Sequence, residues 1–161
     1  MNYRFDSRSK DQFEQDIKDR TLKERDLFFA WLDYVETQSG TRPEFTETGC
    51  GNHGDFLDDA DVSTAPDFNV EGYGHVEVKY SDPLIKRDFH LKANQVKAYE
   101  KMGATILMFN GCREETPVFT MLKPEDLKEI IDSYPVIHFQ GFGGKPSYKI
   151  PVSEYIWRSV K

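Results

Sequence analysis

The sequence predicts an α/β fold: one domain in which helices flank a mixed β-sheet. Three observations point there. Leu27, Phe28, Trp31, Leu32 and Val35 recur at helical spacing, an apolar stripe along one side of a predicted helix over about Leu22 to Gln38. Val76-Glu77-Val78-Lys79-Tyr80 alternates apolar and charged residues, the pattern of a half-buried strand. Thr105 to Phe109 is a continuous apolar run, as expected of a strand covered on both faces.

The remaining elements fall between these. Ser9 to Ile17 reads as a short helix, with Ser9 as cap. Thr21 and Glu24 have the spacing of a capping box for the longer helix, and Ser39-Gly40 its stop. Pro43 to Ala65 reads as a long loop with a short strand near Phe45. Phe68 to Val70 and His75 to Tyr80 make a hairpin turning near Gly72. Leu91 to Met102 is expected to be helical up to Gly103, and Pro117 to Leu122 extended. Pro124 suits the first turn of a helix with Leu127, Ile130 and Ile131 facing inward. A strand at Val136 to Phe139, a glycine-rich loop at Gly141 to Gly144, a short segment around Tyr148 to Ile150 and a helix near Glu154 to Val160 complete the chain.

The 161 residues suffice for one hydrophobic core, and 38% hydrophobic with 14% aromatic residues fits a globular protein. No apolar run approaches a membrane span. Met1 to Asp11 is polar and charged, so no secretory signal and a cytoplasmic location are expected. Cys50 and Cys112 are expected as free thiols. Cys50-x-x-His53 has zinc-ligand spacing, but no second pair accompanies it. The net charge of −7 excludes a passive nucleic-acid coat. Its distribution is uneven. Glu47 to Glu71 holds seven acids and no Lys or Arg, whereas Lys79 to Lys101 holds six bases and three acids.

The two zones meet at Pro66-Asp67 and Glu77-Val78-Lys79. Strand alternation places Glu77 and Lys79 on one face, with His75 beside them. Charges on a half-buried strand are costly unless something uses them, and a divalent cation held by Asp67 and Glu77 would be such a use. Pro66-Asp67, the nine-residue gap and Glu77-Val78-Lys79 resemble the signature of the PD-(D/E)XK nuclease superfamily, over roughly residues 22 to 122. The resemblance implies a restriction-endonuclease-like core, with 123–161 as a C-terminal extension. It implies Mg²⁺ or Mn²⁺ bound by Asp67, Glu77, the carbonyl of Val78 and a helix carboxylate. Glu24 is the first candidate for that carboxylate, with Glu36 and Glu14 behind it. Lys79 would orient water or offset phosphate charge.

Gln95 and Lys92, on the helix after the motif, are similar to residues that resolvase-like members place near the site. Lys97, Lys86 and Arg87 would meet substrate phosphates. Tyr99 reads as core. Phe139 to Lys145 combines aromatics, glycines and a lysine, which suits either base stacking or a turn with two core phenylalanines.

The implied activity is metal-dependent hydrolysis of DNA, RNA not being excluded, in a prokaryotic or phage recombination or repair setting. Two rivals remain open. One is a dimeric Holliday-junction resolvase. The other is an inert nucleic-acid-binding or assembly module.

Overall fold

The computed structural model describes residues 9–48, 65–114 and 117–160. The chain opens with helix α1 (Lys10–Ser39). Ser9 Oγ accepts from the Gln12 N–H at 3.1 Å, and Gly40, at φ 81°, closes the far end with its N–H on the Glu36 carbonyl. The two helices expected over 9–17 and 22–38 are therefore one. Nothing between Lys10 and Ser39 breaks a helix, since the segment has no proline or glycine. Thr21 and Glu24 lie within continuous helix, not at its start.

Strands β1 (Phe45–Glu47), β2 (Phe68–Val70) and β3 (Gly74–Ser81) form an antiparallel meander. β4 (Asp88–Lys92) and helix α2 (Ala93–Met102) then lead to β5 (Thr105–Asn110), which pairs parallel with β3. β6 (Val118–Leu122) and β9 (Arg158–Ser159) complete a six-stranded sheet in the order β1-β2-β3-β5-β6-β9. The β3–β5 pair alone among these is parallel, so the sheet is mixed. Helix α3 (Pro124–Ser133) precedes β7 (Val136–Phe139) and β8 (Lys145–Pro151). A second, antiparallel sheet has the order β4-β8-β7. The class predicted from sequence, a single α/β domain with a mixed central sheet and flanking helices, is the one observed.

The six-stranded sheet separates two cores. On one face α1 lays Phe28, Trp31 and Leu32 over Phe68, Val76, Val78, Leu107 and Phe109. On the other, Ile106, Met108 and Leu122 meet Val96 and Tyr99 of α2, Leu127 and Ile130 of α3, and Leu91, Tyr148 and Ile150 of the second sheet. Residues 123–160 thus supply a large share of one core.

Two local expectations differ from the structure. Leu91 and Lys92, read as the start of the 91–102 helix, belong to the end of β4, whose Phe89 and Leu91 point inward at period two. The helix expected near Glu154 to Val160 does not form. A 3-10 turn at Val152–Glu154 and the two residues of β9 stand there instead. Trp157 Nε1 donates to the Val152 carbonyl at 2.9 Å, and its ring meets Phe89 edge-on. Extended backbone lets Tyr155 and Trp157 both reach the core.

Candidate active site

The site begins with a proline. Phe68 pairs with Val76, so the register sets Asp67 opposite Glu77 and Pro66 opposite Val78. Opposed residues of a sheet share a face. Pro66 has no N–H, and its carbonyl accepts from Thr48 Oγ1 at 2.8 Å, so the hairpin ladder stops there. The Val78 N–H donates instead to Asp67 Oδ2 at 3.0 Å. The N–H and C=O of a strand residue point to the same side. The Val78 carbonyl therefore faces Asp67, across from a residue with no N–H to give it. The Asp67 carbonyl accepts from the Thr48 N–H at 2.9 Å, which fixes the backbone before β2.

Glu77 projects from β3 toward α2 and is only 5% exposed. The Tyr99 hydroxyl of α2 donates to its Oε2 at 2.6 Å. Burial pushes the Glu77 carboxyl up to about 9, against the opposing pull of Lys79, and Asp67 adds to the rise by charge and by a hydrogen bond. Glu77 therefore keeps its proton at neutral pH in the absence of a cation. Burial also raises the Tyr99 phenol, with Glu77, Asp67 and Glu24 adding their fields. At neutral pH the Tyr99 phenol keeps its proton and donates it to Glu77.

The structure thus brings Asp67, Glu77, Val78 and Lys79 together, with Lys79 half-buried on the Glu77 face. Glu24, half-buried on α1, lies within electrostatic reach of Tyr99. Among the described residues no three His, Cys, Asp or Glu side chains form one metal-binding group, so the structure does not bring Glu24 together with Asp67 and Glu77. Glu36 is exposed near the other end of α1, where Arg42 pairs with it at 3.1 Å. The side chain of Glu14, and Cys50 with His53, lie outside the described residues.

Gln95 is half-buried one turn before Tyr99, with no hydrogen bond to Asp67 or Glu77 among the described residues. Lys92 caps the N-terminus of α2. Lys97 is exposed on α2, and Lys86 and Arg87 are exposed in the β3–β4 connection. His75 shares the Glu77 face, and its buried Nδ1 has no hydrogen-bond partner among the described residues.

Tyr99 is the residue that sequence reading missed. The signal was present: a tyrosine on the inward side of an amphipathic helix needs a partner for its hydroxyl, and Glu77 is the buried acceptor. No protein-family model, no curated protein and no solved structure matches the chain.

A divalent cation fits this donor set. Mg²⁺ is held by one or two carboxylates and completes its shell with waters and substrate phosphates, so Asp67, Glu77 and the Val78 carbonyl suffice. Burial, with Asp67 beside it, favours the protonated form of Glu77, and a cation would displace that proton.

Proposed function

We propose that the protein is a Mg²⁺- or Mn²⁺-dependent nuclease of the PD-(D/E)XK kind, with a restriction-endonuclease-like core, acting on DNA in the cytoplasm. The observation that carries this reading is the opposition of Asp67 and Glu77 at a proline-terminated ladder. It aims two carboxylates and one backbone carbonyl at the same spot, with Lys79 adjacent. Asp67 and Glu77 would hold the cation with the Val78 carbonyl. When bound, it would lower the pKa of a bound water and polarise the scissile phosphate. Lys79 is the one cation on the Glu77 face of β3, so its ammonium positions a phosphate oxygen and offsets the charge that grows there. Tyr99 fixes the Glu77 carboxylate through Oε2 and leaves Oε1 for the cation. Glu24 stands back from the pair and acts through its field. Nothing in this set reads base edges, so cleavage preference comes from elsewhere.

The deciding experiment is cleavage of single-stranded, duplex and four-way-junction DNA, and of RNA, in Mg²⁺, Mn²⁺ and EDTA. Lys79→Ala and Asp67→Asn are assayed alongside. The expected result is metal-dependent cutting that slows by roughly 10²-fold or more in either variant. Parent-like rates in Lys79→Ala would remove the site assignment. No cutting of any substrate in either metal would remove the nuclease reading. The preferred substrate separates a linear-strand nuclease from a junction resolvase.

A further inference from the structure

The second sheet turns one face to the core and one away from it. Phe89, Leu91, Tyr148 and Ile150 fill the inward face. Alternation and register place His90 and Lys92 of β4, Lys145 and Lys149 of β8, and Phe139 of β7 on the other. Phe142, in the 3-10 turn at Gln140–Phe142, folds back over this outward face. Neither Phe139 nor Phe142 belongs to either core cluster, so the two phenylalanines are not the core residues of a turn.

They are held as an aromatic layer instead. His90 stacks on Phe139 at 3.7 Å between ring centres and 2° between planes. Phe142 meets Phe139 edge-on at 5.1 Å. The Lys92 ammonium sits 5.4 Å from the centre of the Phe142 ring. Gly141 is required by this packing, since a Cβ there would lie 2.4 Å from the Phe139 ring. Burial lowers the His90 pKa, so near neutral pH that ring stacks as an uncharged aromatic.

The charge of this region opposes that of the chain. Residues 86–92 and 136–151 hold five Lys or Arg and a single acid, in a protein of net charge −7. That acid, Asp88, stands 3.9 Å from Lys149. Stacked rings amid lysines match a ligand with alternating π-faces and anionic links.

We infer that the outward face of the β4-β8-β7 sheet binds a single-stranded segment of nucleic acid, with bases stacked on the Phe142–Phe139–His90 layer and phosphates met by Lys92, Lys145 and Lys149. Unpaired bases present π-faces to such a layer, whereas a duplex hides them. An acidic peptide would engage the lysines and leave the rings unused. The surface connects with the proposed active site along α2. Lys92 caps that helix and Tyr99 lies seven residues on, about 10 Å of axial rise. As the substrate class of that site, this inference rests on the nuclease reading, but the binding it predicts needs no metal.

The test is fluorescence anisotropy of a labelled twenty-nucleotide oligothymidylate, and of a duplex of equal length, in EDTA. The full chain is compared with Phe142→Ala and with Lys145→Gln/Lys149→Gln. Thermal midpoints check that each variant is folded. Phe142→Ala is expected to weaken single-strand binding about tenfold. The lysine pair is expected to flatten the dependence of log affinity on log salt by about 1.4, roughly 0.7 for each phosphate no longer neutralised. Unchanged binding in both variants, or tighter binding of duplex than of single strand, would overturn the inference. A parent that binds in EDTA but cuts nothing with Mg²⁺ or Mn²⁺ keeps this surface and removes the nuclease reading. A parent that cuts, with variants binding as it does, removes the surface and keeps the nuclease.

Discussion

Strand β3 has two chemically opposite faces, and residues of both are buried. Val76 and Val78 lie under α1 among phenylalanines, with no polar group to satisfy. Glu77, one residue away, is as deeply enclosed on the α2 side but carries a carboxyl whose proton affinity is raised to about 9. The first face can be explained by packing alone. The second works against folding, because a buried acid beside another acid stabilises the native state only while it stays protonated. Local conflict of this kind, set in an otherwise consistent fold, is where function is expected.

The dry face is held by aromatic packing. Phe28 is fully buried, stacked on Phe68 at 3.7 Å and edge-on to Phe45 at 5.0 Å. Phe28→Ala is expected to cost about 3–5 kcal/mol of stability, measured by urea unfolding. The stability loss should be the same at pH 6 and pH 8, since none of the rings that Phe28 packs against carries a titrating group. A loss that varied strongly with pH would mean the two faces are not independent.

Glu77→Gln acts in the opposite direction. The folded protein binds a proton on Glu77 that the unfolded chain releases near 4.5. Between 4.5 and about 9 the native state therefore holds more protons than the unfolded state, and stability falls as pH rises. At most about 1.4 kcal/mol is lost per pH unit, on the order of 3 kcal/mol by pH 7. Glutamine keeps the Tyr99 bond and has no proton to lose. The variant should melt higher than the parent at pH 8, with a nearly flat profile from pH 5 to 9. In the parent, Mg²⁺ should raise the midpoint more at pH 8 than at pH 6, because binding must displace that proton. A parent profile already flat without metal would show that Glu77 is ionised throughout.

Sequence made the two faces of β3 legible, because period-two alternation survives wherever one residue type dominates each side. It also made the opposition of Asp67 and Glu77 legible, since a short hairpin fixes its own register. The stripe of α1 was visible, but its true start was not. A helix with no internal breaker gives no sign that two apparent segments are one. The second sheet was hidden for other reasons. β4 runs directly into α2 with no glycine or proline between them, and the residue at the cap is Lys92, not one of the usual capping types. β8 carries Pro146 and Pro151, which disguise a strand paired on both sides. That sheet joins residues 88–92 to residues 136–151, a pairing no local pattern announces. Tyr99 was read correctly as core and incompletely as chemistry, since ring burial is visible in a periodicity and a hydroxyl's partner is not.

Tyr99 belongs to both kinds of environment, which makes its hydroxyl the finest probe of how they differ. Its ring packs in the α2-side core, while its hydroxyl holds Glu77 Oε2 at 2.6 Å. Tyr99→Phe removes one oxygen and leaves the packing in place. Glu77 then loses the donor that favours its charged form, so its pKa rises further. The stability change should be about 1 kcal/mol, the smallest of the three, because at neutral pH the carboxyl can remain protonated toward Asp67. The larger signature is in the pH dependence of cleavage. The acid limb should move to higher pH, because more base is needed before Glu77 can release its proton to a cation. Phe28→Ala, assayed where it remains folded, should leave that limb where it is. An unshifted limb in Tyr99→Phe would mean that the hydroxyl only fills space against Glu77, and that the carboxylate is oriented by Asp67 and Lys79 alone.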